Sequence, residues 1–140
     1  MTVTATPIFP QGIVNSIVTI VNATGTSAIS LVAAGSNGTK IENINMTSTD
    51  NASAYTVNLF AYISATTYQI GCINLLINSG NVDTIPSINF LTSPQLPNLP
   101  KDSNGNPYIY LANGTSLYVS VGSTVTSGKT LTFFAQGGNF

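Results

Sequence analysis

Apolar and polar residues alternate with a period of two along much of the chain. Tyr55, Val57, Leu59, Ala61 and Ile63 share one parity, against Thr56, Asn58, Phe60, Tyr62 and Ser64 on the other. A pleated strand sends successive side chains to opposite faces, so this run predicts a half-buried strand of about ten residues. Leu117, Val119 and Val121 repeat the pattern against Ser116, Tyr118 and Ser120, and Leu131, Phe133 and Ala135 repeat it near the C-terminus. Val14–Val21, Ser27–Ala33, Lys40–Ser48, Tyr68–Ile77, Pro86–Leu91 and Tyr108–Ala112 complete about nine candidate strands. Val, Ile, Thr, Tyr and Phe dominate them, as suits a pleated, partly buried surface.

Turn formers separate the strands. Asn37-Gly38, Asn104-Gly105 and Asn113-Gly114 supply the positive φ angles of tight hairpin turns. No segment carries apolar residues at helical spacing behind a capping residue. A short helical turn near Thr92–Leu96 is the only helical expectation. Many short strands with no helix between them predict an all-β fold, a single antiparallel β-sandwich of jelly-roll type with about eight or nine strands, over residues 1–140.

Two stretches break the rhythm. Residues 1–12 form an N-terminal arm containing Pro7 and Pro10, and residues 78–107 hold five of the seven prolines. Proline fixes φ and removes a donor, which favours extended or edge conformations. Ile88, Phe90, Leu91, Leu96 and Leu99 still give this long loop apolar side chains to bury. It either closes one end of its own sandwich or reaches a neighbouring subunit.

Composition narrows the function. Charged residues make up 5% of the 140, against about 25% in a typical soluble domain. The three cations are Lys40, Lys101 and Lys129, too few and too scattered for a nucleic-acid surface. With no His and one Cys, zinc or haem ligands are lacking and so is the base of a Ser-His-Asp or Cys-His nucleophile. No cofactor or metal is expected. Apolar content is an ordinary 43%, while Asn, Ser and Thr number 16, 15 and 19. Such a surface holds water yet repels other copies weakly, and near-zero net charge favours association. The N-terminus shows no export signal, and no window is long enough for a membrane-spanning helix, so synthesis in the cytoplasm is expected. Five Asn-x-Ser/Thr triplets occur, at Asn22, Asn37, Asn45, Asn51 and Asn113, where this composition yields about four by chance.

The four carboxylates are Glu42, Asp50, Asp83 and Asp102. Two flanking a cleft would support glycoside hydrolysis, but three sit near turns, where Asp bonds the local backbone. Asp102-Ser-Asn104-Gly-Asn106 begins like a calcium loop, then places Pro107 and Asn113 where glycine and glutamate belong; a turn explains it better. Cys72 shares parity with Ile70 and reads as a small buried hydrophobe. Rings on faces that should be polar are more informative: Phe60, Tyr62, Tyr118 and Phe134 all oppose the core parity of their strands. In Tyr68–Ile77 both parities turn apolar, so burial on both faces is expected. With Phe90 and Leu96 of the long loop, these aromatics are the candidate protein interface. A ring strip flanked by Asn also suits stacking on sugars.

The stretch Gly38-Thr-Lys-Ile-Glu-Asn-Ile-Asn-Met-Thr-Ser-Thr-Asp50, followed by Thr56-Val-Asn-Leu-Phe60, resembles a family of small tailed-bacteriophage virion proteins. Leu99–Leu111, Leu117–Val121 and the ending Ala135–Phe140 are similar to the same group. The resemblance implies a capsid decoration, or cement, protein of the virion head. Its partners would be copies of itself, as a trimer on a lattice three-fold, and the major capsid protein. It carries no catalytic residues. The alternative is a tail- or fibre-associated module that binds a host glycan.

Overall fold

The computed structural model describes residues 9–140, and most of the N-terminal arm lies outside them. Nine strands form two antiparallel sheets: β1 (Gly12–Val21), β2 (Ile29–Ala33), β3 (Thr39–Ser48), β4 (Tyr55–Ile63), β5 (Thr66–Leu75), β6 (Ile88–Asn89), β7 (Ile109–Leu111), β8 (Ser116–Val121) and β9 (Thr130–Asn139). The first sheet runs β1-β9-β3-β6, with β7 also on β3, and the second runs β2-β8-β4-β5. With β6 and β7 counted as one interrupted strand, eight strands fill two four-stranded sheets in the alternating order of a jelly roll. Two single 3-10 turns, Asn22–Thr24 and Phe90–Thr92, are the only helical elements among the described residues.

The inward parity is the apolar one. Tyr55, Val57 and Leu59 of β4, Leu117, Val119 and Val121 of β8, and Leu131, Phe133 and Ala135 of β9 are all buried between the sheets. Ile44 and Met46 of β3 and Ile20 of β1 stand beside the β9 residues in the first sheet and are buried with them. The alternation weakens where β4 outruns the core: Ile63, expected inside, is exposed.

Only β4 and β5 are neighbours both in sequence and in pairing. Their two-residue hairpin is not made by any of the Asn-Gly pairs. Ser64 and Ala65 make it, at φ 51° and 63°, a conformation that L-residues adopt at a cost. Gly38, Gly105 and Gly114 do take positive φ. However, the Gly38 and Gly114 turns carry the chain from one sheet to the other.

Three expectations about β5 and the long loop change. Ile73 and Leu75 are buried, whereas Ile70, Cys72, Leu76 and Ile77 are exposed, so β5 is covered on one face only. A bulge between Leu59 and Phe60 in the β4 ladder leaves Ile70 without an opposite residue. The predicted strand Pro86–Leu91 shrinks to β6 and passes into the 3-10 turn, where Asn89 Oδ1 accepts from the Leu91 N–H. That turn drives Phe90 and Leu91 into the core. Leu96 reaches back over Gly71, where an added methyl would lie 2.2 Å from Leu96 Cδ2. Much of the Pro-rich stretch therefore closes the side of its own sandwich.

At one end of the sandwich three loops meet on a buried carboxylate. Asp50 is fully buried in the β3–β4 turn. Its Oδ1 accepts the N–H groups of Ala52 and Ser53, and its Oδ2 accepts the Tyr55 hydroxyl at 2.5 Å. The Tyr55 oxygen in turn accepts the Thr126 N–H at 3.0 Å, and the Asp50 carbonyl accepts the Asn78 N–H. Ser48, Ser79 and the Pro86 carbonyl continue the network. Among the described residues no buried side-chain polar atom lacks a partner. Burial pulls the Asp50 carboxyl upward, but the Tyr55, Thr126, Ala52 and Ser53 hydrogen bonds overcome it and hold Asp50 well below the usual carboxylate range.

Tyr55→Phe strips one donor from a buried anion and should lower stability by about 2–4 kcal/mol in urea unfolding at pH 7. Because the native pKa is depressed, the stabilisation from Asp50 is complete above the unfolded value. It disappears as pH falls through about 4 and below. Unfolding curves between pH 6 and 3 should therefore fall more steeply for the native protein than for Tyr55→Phe, and parallel curves would contradict the network. Ser64→Asn combined with Ala65→Gly should raise stability by about 0.5–1 kcal/mol by relieving the hairpin. A lowered melting temperature would refute that reading of the turn.

Candidate interaction surfaces

The six residues singled out from the sequence fall in three places. Phe60 and Tyr118 are directly opposite in the β4–β8 register, and Tyr62 is opposite Ser116, so all three rings share the outer face of the second sheet. The Tyr62 and Tyr118 rings stack at 4.5 Å and 16°. Ser30 continues the Tyr118 row on β2, and Gln69 continues the Phe60 row on β5. Beside them Asn58 donates to Ser120 Oγ and accepts from Gln69 Nε2, tying the polar flank to the sheet. All three rings are half-buried. None of β2, β4, β5 and β8 contains a charged residue. The result is an uncharged ring patch on a face with no third layer above it among the described residues.

Phe134 stands apart on the outer face of the first sheet, between Ile17 of β1 and Asn45 of β3. Phe90 corrects the sequence reading: it is 0% exposed, a core residue of its own chain and unavailable to a partner. Leu96 packs against that core as well. Cys72 corrects it in the other direction. The thiol is exposed, because residue 72 is opposite Asn58 on the outer face of the second sheet.

A second aromatic site was missed in the sequence. Tyr108 and Tyr110 meet edge to face at 4.6 Å, and Tyr110 lies 5.9 Å from Phe140. Lys40 Nζ sits 4.7 Å over the Tyr108 ring and 3.2 Å from Glu42 Oε1. Gln11, Asn37, Tyr110 and Phe140 line an open groove of about 700 Å³. Tyr110 alternates with the inward pair Ile109 and Leu111, and this parity was the available signal. What brings Phe140 beside it is the β3 bridge between β7 and β9, which is a non-local fact.

Glu42 and Asp102 line one cleft of about 300 Å³ with Asn89, Asn106 and Tyr108. The chemistry of Asp102 is that of a turn. Its Oδ1 accepts the N–H groups of Asn104 and Asn106, and the Asn106 N–H is the main cause of a pKa below the ordinary value. A general acid needs the opposite shift. Glu42 is engaged by Lys40. Among the described residues no three His, Cys, Asp or Glu side chains gather as metal ligands, and no helix is long and apolar enough to cross a membrane.

Neither a scan against protein-family models nor a search of curated proteins found a match to this chain.

Cys72 reports on the ring-bearing face of the second sheet. In the free native protein its thiol should react fully with an aromatic disulfide reagent within the time a denatured sample requires. Reaction only after denaturant is added would show that the face is already covered.

Proposed function

We propose that the protein is a non-enzymatic structural component of a virus particle, a capsid decoration protein of a tailed bacteriophage that self-associates and attaches to the head. The observation that carries this reading is the uncharged ring patch of Phe60, Tyr62 and Tyr118 on the open face of the second sheet. Charge depletion with aromatic enrichment is the composition of an interface core. Jelly rolls also recur in viral capsid domains, though a fold alone assigns no function. The mechanism is burial: each Å² of apolar surface removed from water contributes about 25 cal/mol, offset by the cost of association. Many copies on one shell turn a weak single contact into stable attachment through avidity. Partners are further copies of the chain and the major capsid protein. The reading includes no nucleic acid, membrane or cofactor, and places the protein on the virion head.

A second reading has its own support. The Tyr110–Phe140 groove presents ring faces beside the amides of Gln11 and Asn37, which is chemistry that suits a neutral sugar and a glycan-binding module on a tail or fibre.

Co-sedimentation with empty phage heads, with light scattering of the free protein, tests the first reading. Binding is expected to be lost in Phe60→Ser/Tyr118→Ser while circular dichroism stays unchanged. Cys72 should become protected from thiol reagents on the shell. A strict monomer at high concentration that ignores heads would overturn the reading. Binding to a glycan array that Tyr110→Ala abolishes would favour the second.

A further inference from the structure

Every open sheet edge except one carries a device against pairing with another chain. A row of unpaired backbone donors and acceptors is a template for a further strand unless it is short, bulged, charged or covered. β2 has five residues and is bulged between Ser30 and Val32. β6 has two residues within the proline-bearing stretch and β7 three residues just after it, and Lys40, Glu42 and Asp102 stand close by. β5 is long, but its ladder is bulged beside Phe60, and its Ile73 and Asn74 share a groove with residues 87–95.

β1 is neither short, bulged nor charged, and among the described residues it touches β2 on its inner side, where the Leu31 carbonyl accepts the Ser16 hydroxyl. It is ten residues long, pairs with β9 in unbroken register from Gly12 to Val21, and contains neither proline nor charge. The first charged side chain in the whole sequence is Lys40. Pro10 and Gln11, directly before β1, lie inboard against β9, where the Gln11 N–H donates to the Asn139 carbonyl. A methyl on Gly138 of β9 would lie 2.4 Å from Pro10 Cβ, so Pro10 sits over β9. Ile13 and Ile17 on the outer face are 88% and 64% exposed.

We propose that β1 pairs antiparallel with β1 of a second copy, joining two first sheets edge to edge about a two-fold axis at Ile17. A strand is tested for self-pairing by reading it against its own reverse. Centred on Ile17, β1 sets Ile17 against Ile17, Asn15 against Thr19 and Ile13 against Val21. Apolar residues then meet apolar ones and an amide meets a hydroxyl, all on one face of the pleat. The row Asn45–Phe134–Ile17 continues across the axis into its symmetry mate. Phe134, isolated in the monomer, becomes part of an apolar belt spanning both subunits. No like charges oppose one another, and an isologous contact closes without forming fibres. The inference rests on reading the chain as an assembling protein, and it makes the free unit a two-fold dimer, where the resemblance implies a trimer.

Sedimentation equilibrium over a wide concentration range should show a monomer–dimer equilibrium without trimer. Ile17→Lys puts two ammonium groups face to face on the axis and should weaken dimerisation by ~100-fold with unchanged circular dichroism. In a Cys72→Ser background, Ile17→Cys should oxidise to a covalent dimer, because directly opposite strand positions fall within disulfide reach. This second readout decides the matter if the lysine variant misfolds. Tyr118→Ser should leave dimerisation intact. A monomer or trimer at all concentrations, an Ile17→Lys protein that dimerises normally, or dissociation caused by Tyr118→Ser alone would overturn the edge contact. A normal dimer that fails to bind heads would overturn the decoration reading while leaving the edge contact standing.

Discussion

The Asp50 carboxylate holds the end of the sandwich together. A buried anion is tolerated only if its oxygens are satisfied, and here two backbone N–H groups and the Tyr55 hydroxyl do so. Tyr55 also receives the Thr126 N–H, and the Asp50 carbonyl receives that of Asn78. The β3–β4, β5–β6 and β8–β9 connections are thus fixed to one point. Those connections determine how the sheets face each other. Asn22 Nδ2 donating to the Val125 carbonyl adds the turn after β1 to the same end. A chain with one cysteine has no disulfide to do this work, and a hydrogen-bonded charge takes its place.

Away from that point the chain does without charge almost entirely. Asn, Ser and Thr side chains knit the strands laterally, as in Asn43 to Gln136 across β3–β9 and Asn58 to Ser120 across β4–β8. Such groups satisfy one another or water at little desolvation cost, so a partner can cover them without stranding an ion. The two outer faces differ in what they place among these amides and hydroxyls. The second sheet gathers three rings into one patch, and the first aligns Phe134 with the exposed isoleucines of its edge strand. In the proposed assembly the second sheet would be covered through its face and the first through its rim.

Glu42 and Asp102 share a cleft, yet one is held by Lys40 and the other by its own turn. Asp50 is a structural anion. Asp50 and Asp102 are both held below the ordinary carboxylate range, the opposite of the shift a general acid needs.

The period-two pattern by itself located all nine strands and most of their inward residues, because alternation is a local consequence of the pleat. It read Phe60, Tyr62, Tyr118 and Phe134 as outward, and the structure places them so. What it could not settle was contact between residues far apart in the chain. Phe90 and Leu96 looked available because a proline-rich segment has no periodicity to mark its inner side, and only packing against Gly71 and the core decides it. Cys72 looked buried because its neighbours are apolar on both parities, and the register with Asn58 turned it outward. The Tyr110–Phe140 groove and the position of β1 at a sheet edge depend on which strands become neighbours. Strand order in a jelly roll is set by long-range pairing, which no local window of sequence contains.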